Sequence, residues 1–235
     1  MNVELSFIIV RYKRDVSSLV QQIHSFVRQS HEVIVSNNSE SIFLKSAKVI
    51  NNKRNLGYGT ACNKAISVAK GKLIFILNPD LILNEHTVDK LVEFMSKNKE
   101  VNIAAPKLLN DDGSVQLSCR TFPTFCLMLA RNIPGLKYLF SKSLKKHNML
   151  DYNHDTPQKV DWVSGAFMVF RNKYFFDSRF FMYFEDVDIC RRIGKVWYYP
   201  EAVAHHSAGH GSKRNINLFL SHLKSMLYYF VKHSV

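Results

Sequence analysis

Short apolar runs rich in β-branched and aromatic residues alternate with stretches of helical periodicity through the first half of the chain. Leu5 to Val10, Val33 to Val35, Val49-Ile50 and Leu73 to Leu77 are predicted as buried strands. Between them Val16, Leu19, Val20, Ile23, Phe26 and Val27 form one apolar helical stripe, and Val88, Leu91, Val92 and Met95 form another behind an Asn84 cap. This alternation predicts an α/β fold with a mostly parallel, Rossmann-like sheet and helices on both faces, with ligands gathered at the carboxyl ends of the strands.

After Pro106 the pattern loosens. Asp111-Asp112-Gly113 reads as a turn, and the basic stretch from Asn132 to Asp155 as a mobile loop or short helices. A strand-like run from Val160 to Phe170 follows, then the acidic segment Phe180 to Ile193 and a strand over Val196 to Tyr199. The chain closes in a helix from about Asn217 to Val231, with Leu220, Leu223, Leu227 and Phe230 at helical spacing. No repeat or low-complexity segment interrupts this order.

Length and composition narrow the picture. A chain of 235 residues that is 46% hydrophobic buries one sizeable core, so one domain is expected, divided at about residue 106 into a 1–106 half and a 107–235 half. The 32 Lys and Arg against 19 Asp and Glu give a net charge of +13, which favours anionic partners: phosphates, an acidic membrane surface or nucleic acid. A basic recognition helix and the aromatic strand motifs of RNA binders are both missing, so nucleic acid is not expected as a partner. Four scattered cysteines with no C-x-x-C pair argue against a disulfide framework or structural zinc, and fit a reducing, cytoplasmic setting. No run reaches the roughly 18 apolar residues of a spanning helix, so any membrane contact is expected to be peripheral. The apolar run at the N-terminus, Met1 to Val10, leads into Arg11-Tyr12-Lys13-Arg14 without a cleavage pattern and reads as the first strand.

Three constellations carry candidate chemistry. Asn55-Leu-Gly-Tyr-Gly-Thr-Ala-Cys-Asn63 follows a strand and opens a helix, so its glycines either bring backbone amides close to a diphosphate or make an ordinary turn. Strand Leu73 to Leu77 runs directly into Asn78-Pro79-Asp80, which places one carboxylate where a ligand is expected; it is a Mg²⁺ or Mn²⁺ ligand or part of a turn. Glu185, Asp186 and Asp188 enter a short helix behind an aromatic run, with Glu185 and Asp188 on one face and Asp186 elsewhere; they serve as a general base or as helix-end acids. The segment Pro200 to Gly209 follows a strand, and of the neighbours His205 and His206 at most one points to a shared site.

Taken in order, these segments closely resemble family 2 glycosyltransferases of the GT-A fold, especially bacterial enzymes that add rhamnose and related sugars to O-antigen or other cell-surface polysaccharides. The resemblance runs through Phe7 to Val10, Ser36 to Ser39, Asn55 to Asn63, Leu77 to Asp80, Pro106 to Asn110 with Asp112 to Ser114, Val160 to Met168, Phe181 to Asp188 and Tyr199 to His206. It implies that Asp80 holds a divalent metal, Mg²⁺ or Mn²⁺, with Asn78 in place of a first acid and His206 near metal and diphosphate. It implies donor contacts from Val10, Tyr12, Ser36, Asn38, Asn55, Gly57 and Asn63 as well. Asp186 is then the base that deprotonates an acceptor hydroxyl for inverting attack, Glu185 supports it, and Trp162 and Gly165 line the acceptor and donor-sugar pocket. The implied partners are a nucleotide-sugar, with dTDP-rhamnose the leading expectation and a UDP- or GDP-hexose the alternative, and a lipid-diphosphate-linked or oligosaccharide acceptor at the inner membrane face. Ser36 stands where the family usually carries an aspartate, and the segments around Phe176 to Arg179 and Arg191 to Trp197 are short. These departures imply altered base recognition and leave a degenerate, binding-only relative as a competing expectation.

Overall fold

The computed structural model describes residues 3–133, 135–207 and 216–234. Met1 of the apolar start, Pro134 and the end of the His-bearing segment, Ala208-Gly209, lie outside these residues. A ten-stranded mixed sheet forms the centre, with eight strands in the order β3-β2-β1-β4-β11-β6-β12-β5. Strands β1 (Leu5–Arg11), β2 (His31–Asn37), β3 (Lys48–Asn51) and β4 (Leu73–Leu77) are mutually parallel, as the apolar runs predict.

The pleat of β1 sorts the core into two layers, because successive side chains point to opposite faces. Leu5, Phe7 and Ile9 pack with α1 (Ser17–Phe26) and α3 (Thr87–Lys97), through Leu19, Val20, Ile23, Leu91 and Met95. Ile8 and Val10 face α2 (Tyr58–Val68) and α7 (Glu185–Ile193), through Ala61, Ala65, Ile66, Ile189 and Cys190. The expected Asn84 cap is not made: α3 starts after His86 without a side-chain cap, and Asn84 instead takes part through its backbone with Thr87.

The second half departs from its expected layout. β6 (Ile103–Leu109) runs through Pro106 into the stretch read as irregular, and β7 (Val115–Gln116) turns back on it. The run from Val160 to Phe170 is not one strand. Asp161 and the Ser164-Gly165 pair divide it into β9 (Gln158–Val160), β10 (Trp162–Val163) and β11 (Phe167–Phe170). β10 pairs with β8 (Cys119–Arg120) in a separate two-stranded sheet, whereas β11 enters the main sheet antiparallel to both β4 and β6. β12 extends from Val196 to His206, beyond the expected end at Tyr199, with its register shifting between Tyr199 and Val203 around Pro200; β5 (Leu81–Leu83) covers its far edge. A proline survives there because the irregular register spares it a ladder hydrogen bond.

The basic stretch after Thr124 folds as short helices: α4 (Phe125–Asn132), α5 (Leu136–Leu139) and α6 (Ser141–His147). The closing helix α8 (Ile216–His233) docks through Ser225, Met226, Tyr229 and Phe230 onto Met128, Phe180, Phe184 and Val187. Its attachment is also ionic, since fully buried Asp188 meets Lys232, His233 and Arg192. Phe219, Leu220, Leu223, Leu227 and Val231 of the same helix are exposed. Among the described residues, no helix is long and apolar enough to cross a membrane.

Candidate active site

A cleft of about 630 Å³ opens beyond the carboxyl ends of β1 and β4 and brings together Val10, Tyr12, Asn38, Asn55, Gly57, Asn78, Asp80, Gly165, Glu185 and Asp186. Its floor owes its shape to Gly57, which opens α2 with φ +80°. A β-carbon there would lie 2.2 Å from the Phe181 carbonyl oxygen, so only glycine permits this approach. The Asn55 side chain accepts from the Gly57 amide at 3.0 Å, and Asn38 donates to the Gly57 carbonyl at 3.1 Å.

Asp80 sits just past β4, its side chain 14% exposed. His206, at the end of β12, brings Nε2 to 3.2 Å from Asp80 Oδ1 and 3.2 Å from Asn78 Nδ2. The tautomer follows from the other ring nitrogen. Gln116 uses its amide nitrogen as donor to Asn110 Oδ1 and to the His206 carbonyl, which turns its Oε1 to His206 Nδ1 at 2.7 Å. In the neutral ring Nδ1 therefore carries the proton and Nε2 presents a lone pair, which the Asn78 amide nitrogen also faces. That lone pair and the Asp80 Oδ1, which is buried without a hydrogen-bond partner, face each other. Two acceptors with no proton between them are what a hard cation satisfies, so these residues fit a divalent metal. Among the described residues no group of three or more His, Cys, Asp or Glu gathers to hold a metal alone. Burial pushes the Asp80 carboxyl up, but His206 in its protonated form and Arg14, whose guanidinium lies 3.6 Å away, outweigh it and hold it below its ordinary value.

The opposite wall is built by a strained turn. Tyr183 and Phe184 take φ of 71° and 62°, a conformation non-glycine residues adopt at a cost, and they deliver Glu185 and Asp186 to the mouth of α7. Asp186 Oδ2 accepts from the Gly165 amide at 3.1 Å and Oδ1 from the Val187 amide at 2.9 Å. Tyr58 donates to the Gly165 carbonyl at 2.7 Å, fixing that glycine from the donor side. Burial raises both carboxyls, Glu185 well above its ordinary value because the Asp186 charge adds to it, Asp186 less because two amides and Arg120 favour its ionised form. The two carboxyls thus differ in proton affinity, Glu185 holding its proton the more tightly and Asp186 the more readily ionised.

Some expected residues stand elsewhere. Asn63 turns from the cleft and clasps the Phe176 backbone through both amide atoms, each at 2.8 Å. Ser36 is fully buried beneath the floor, accepting from Asn52 at 3.1 Å. Glu185 and Asp188 share a helix but not an environment, for Asp188 is spent on α8. Trp162 lines a smaller adjoining pocket rather than the cleft. Sequence reasoning missed Tyr58, Arg14 and Gln116. Tyr58 and Arg14 lie inside motifs it had singled out; Gln116 sits on a two-residue strand that carries no signal.

The chain is similar to known proteins over most of its length. Residues 6–192 match the glycosyl transferase family 2 model. The N-acetylglucosaminyl-diphospho-decaprenol L-rhamnosyltransferase of Mycobacterium tuberculosis is 27% identical over 206 residues, covering 77% of this chain and 66% of its own length. The rhamnosyltransferase WbbL of Escherichia coli K12 is 26% identical over 234 residues, covering 88% of this chain and 84% of its own. Among solved structures, S. aureus TarS 1-349 superposes with a TM-score of 0.58 at 13% identity, over 87% of this chain and 60% of that one, and shares the GT-A fold. The chain thus spans about two thirds of the mycobacterial relative.

Proposed function

The chain belongs to glycosyl transferase family 2, and from that premise we propose an inverting, metal-assisted transfer of a deoxyhexose, L-rhamnose from dTDP-rhamnose, to a lipid-diphosphate-linked saccharide in cell-surface polysaccharide synthesis. The observation that carries the reading is the pairing, across one cleft, of the Asp80 and His206 acceptor atoms with the amide-held Asp186 carboxylate.

In this reading residues 1–106 hold the donor and 107–235 the acceptor. Val10, Tyr12, Asn38, Asn55 and Gly57 cradle the nucleotide and diphosphate. Asp80 and His206, with Asn78 beside them, would hold Mg²⁺ or Mn²⁺. When bound, such an ion neutralises the diphosphate as its bond to the anomeric carbon breaks. Asp186 takes the proton from the acceptor hydroxyl as that oxygen attacks the anomeric carbon, and the nucleoside diphosphate leaves. Protonated Glu185 spares Asp186 a second adjacent charge.

Names of the relatives support rhamnose and a diphospho-lipid acceptor. Exposed Tyr138 and Leu139 beside Lys137 and Lys142, together with the apolar outer face of α8, suit a peripheral hold on an anionic leaflet from the cytoplasm. A donor panel with Mn²⁺ or Mg²⁺ tests the proposal. Turnover of dTDP-rhamnose with inversion is expected; preference for a UDP- or GDP-hexose overturns the sugar assignment, and neither hydrolysis nor transfer with any donor overturns the activity.

A further inference from the structure

Beside the cleft lies a pocket of about 160 Å³ that shares Tyr183, Glu185 and Asp186 with it but includes neither Asp80, Asn78 nor Arg14. Four basic side chains from four elements converge on it: Arg120 of β8, Arg131 of α4, His147 of α6 and His222 of α8. Local contacts fix these side chains and their backbone in place. The Thr121 amide donates to the His147 carbonyl at 3.1 Å, Trp162 donates from its indole to the Thr121 carbonyl at 2.9 Å, and the Arg120 guanidinium lies over the Trp162 ring at 5.5 Å. His222 packs its ring against Tyr183 and Phe184.

At the pocket Arg120 is half-buried and Arg131 exposed, while His147 is buried and His222 partly so. Here neither arginine takes part in an ion pair among the described residues, and the Glu185-Asp186 pair is the only acid in the lining. Arg120 Nε is buried without a hydrogen-bond partner, and so is Nδ1 of His147, a residue only 2% exposed. Burial and the two arginines push the His147 imidazole down to about 4, and burial also lowers both arginines, with Arg131 lowering Arg120 further. Two guanidiniums and the unpartnered Arg120 Nε and His147 Nδ1 suit a multivalent anion, and the space admits a group a few water molecules in size.

We propose that this pocket binds the phosphate of the acceptor, and that the hydroxyl to be glycosylated belongs to the sugar that carries this phosphate. Tyr183, Glu185 and Asp186 line both spaces, so a phosphate seated in the pocket lies directly beside the carboxylate proposed as base. The inference rests on the glycosyl-transfer reading for its acceptor but not for its anion chemistry, and two measurements separate them.

The first is calorimetry with inorganic pyrophosphate in EDTA, which removes any route through a metal at Asp80. The wild-type chain binds, and Arg120→Gln and Arg131→Gln each weaken binding about tenfold or more. Lys145→Gln, which removes the same charge from an exposed position of α6, is the control. No binding by the wild type, or arginine variants that match Lys145→Gln, overturns the proposal. Arg131→Gln decides if loss of the Trp162 stack unfolds Arg120→Gln, because Arg131 lies at the end of a surface helix.

The second is transfer to N-acetylglucosaminyl-diphospho-farnesol against free N-acetylglucosamine. The wild type prefers the phosphorylated acceptor, and Arg131→Gln cuts that ratio of kcat/KM about tenfold. Equal losses on both acceptors overturn the pocket while leaving transfer intact; absence of any transfer by the wild type removes the activity, and pyrophosphate binding alone then decides the pocket.

Discussion

Asp80 and Asp186 face one cleft with opposite proton affinities. Both are partly shielded from water, and burial pushes both carboxyls up. At Asp80 a histidine and an arginine reverse that push; at Asp186 two amides and a more distant arginine only moderate it, and Glu185 stands alongside. The lesson is that the proton affinity of a carboxylate is set by what stands within a few ångströms of it, not by its residue type.

The comparison is broken most severely by Asp186→Asn, which keeps size and polarity but cannot accept a proton. Its kcat should fall about 10²–10⁴-fold with donor binding retained, measured by transfer rate and donor titration. The third acid of α7 sharpens the contrast. Asp188 is fully buried and committed to Lys232, His233 and Arg192, so Asp188→Asn should cost about 3 kcal/mol of stability in denaturant unfolding, because Lys232 keeps Asp177 while the other partners lose their counter-charge.

On the Asp80 side, Gln116→Ala frees the His206 tautomer without touching either proposed ligand. Metal affinity should weaken about 10–100-fold in a Mn²⁺ titration with nucleoside diphosphate present. The smallest effect concerns Glu185. A carboxyl raised on folding contributes stability below its unfolded value and loses it as pH rises through its folded value. Glu185→Gln escapes that loss, so its melting temperature should gain on the wild type from pH 5 to pH 8, by about 2–4 °C for each kcal/mol.

The half of the molecule around Asp80 was legible because its strands are continuous apolar runs feeding parallel neighbours, and Asn78-Pro79-Asp80 follows β4 without interruption. The half around Asp186 was not, for physical reasons. Phe167–Phe170 pairs antiparallel between β4 and β6, a long-range choice that no local period encodes. Pro200 hides the continuity of β12, so His206 reads as a loop residue though it ends a strand. The left-handed Tyr183 and Phe184 aim Asp186 at the cleft, yet neither residue type announces that backbone. The pocket of Arg120, Arg131, His147 and His222 is assembled from four elements distant in sequence, and Asn63 lies in a recognised motif but serves the Phe176 loop.

The central claim is that Asp186, raised by burial and held ionised by the Gly165 and Val187 amides, is the base. The pH dependence of kcat for glycosyl transfer tests it most directly. The rate should fall as pH drops through an apparent pKa above the ordinary carboxylate range, and Asp186→Asn should lose both the limb and most of the rate. A limb at the ordinary carboxylate value, or an Asp186→Asn variant that transfers sugar at the wild-type rate, would contradict the account.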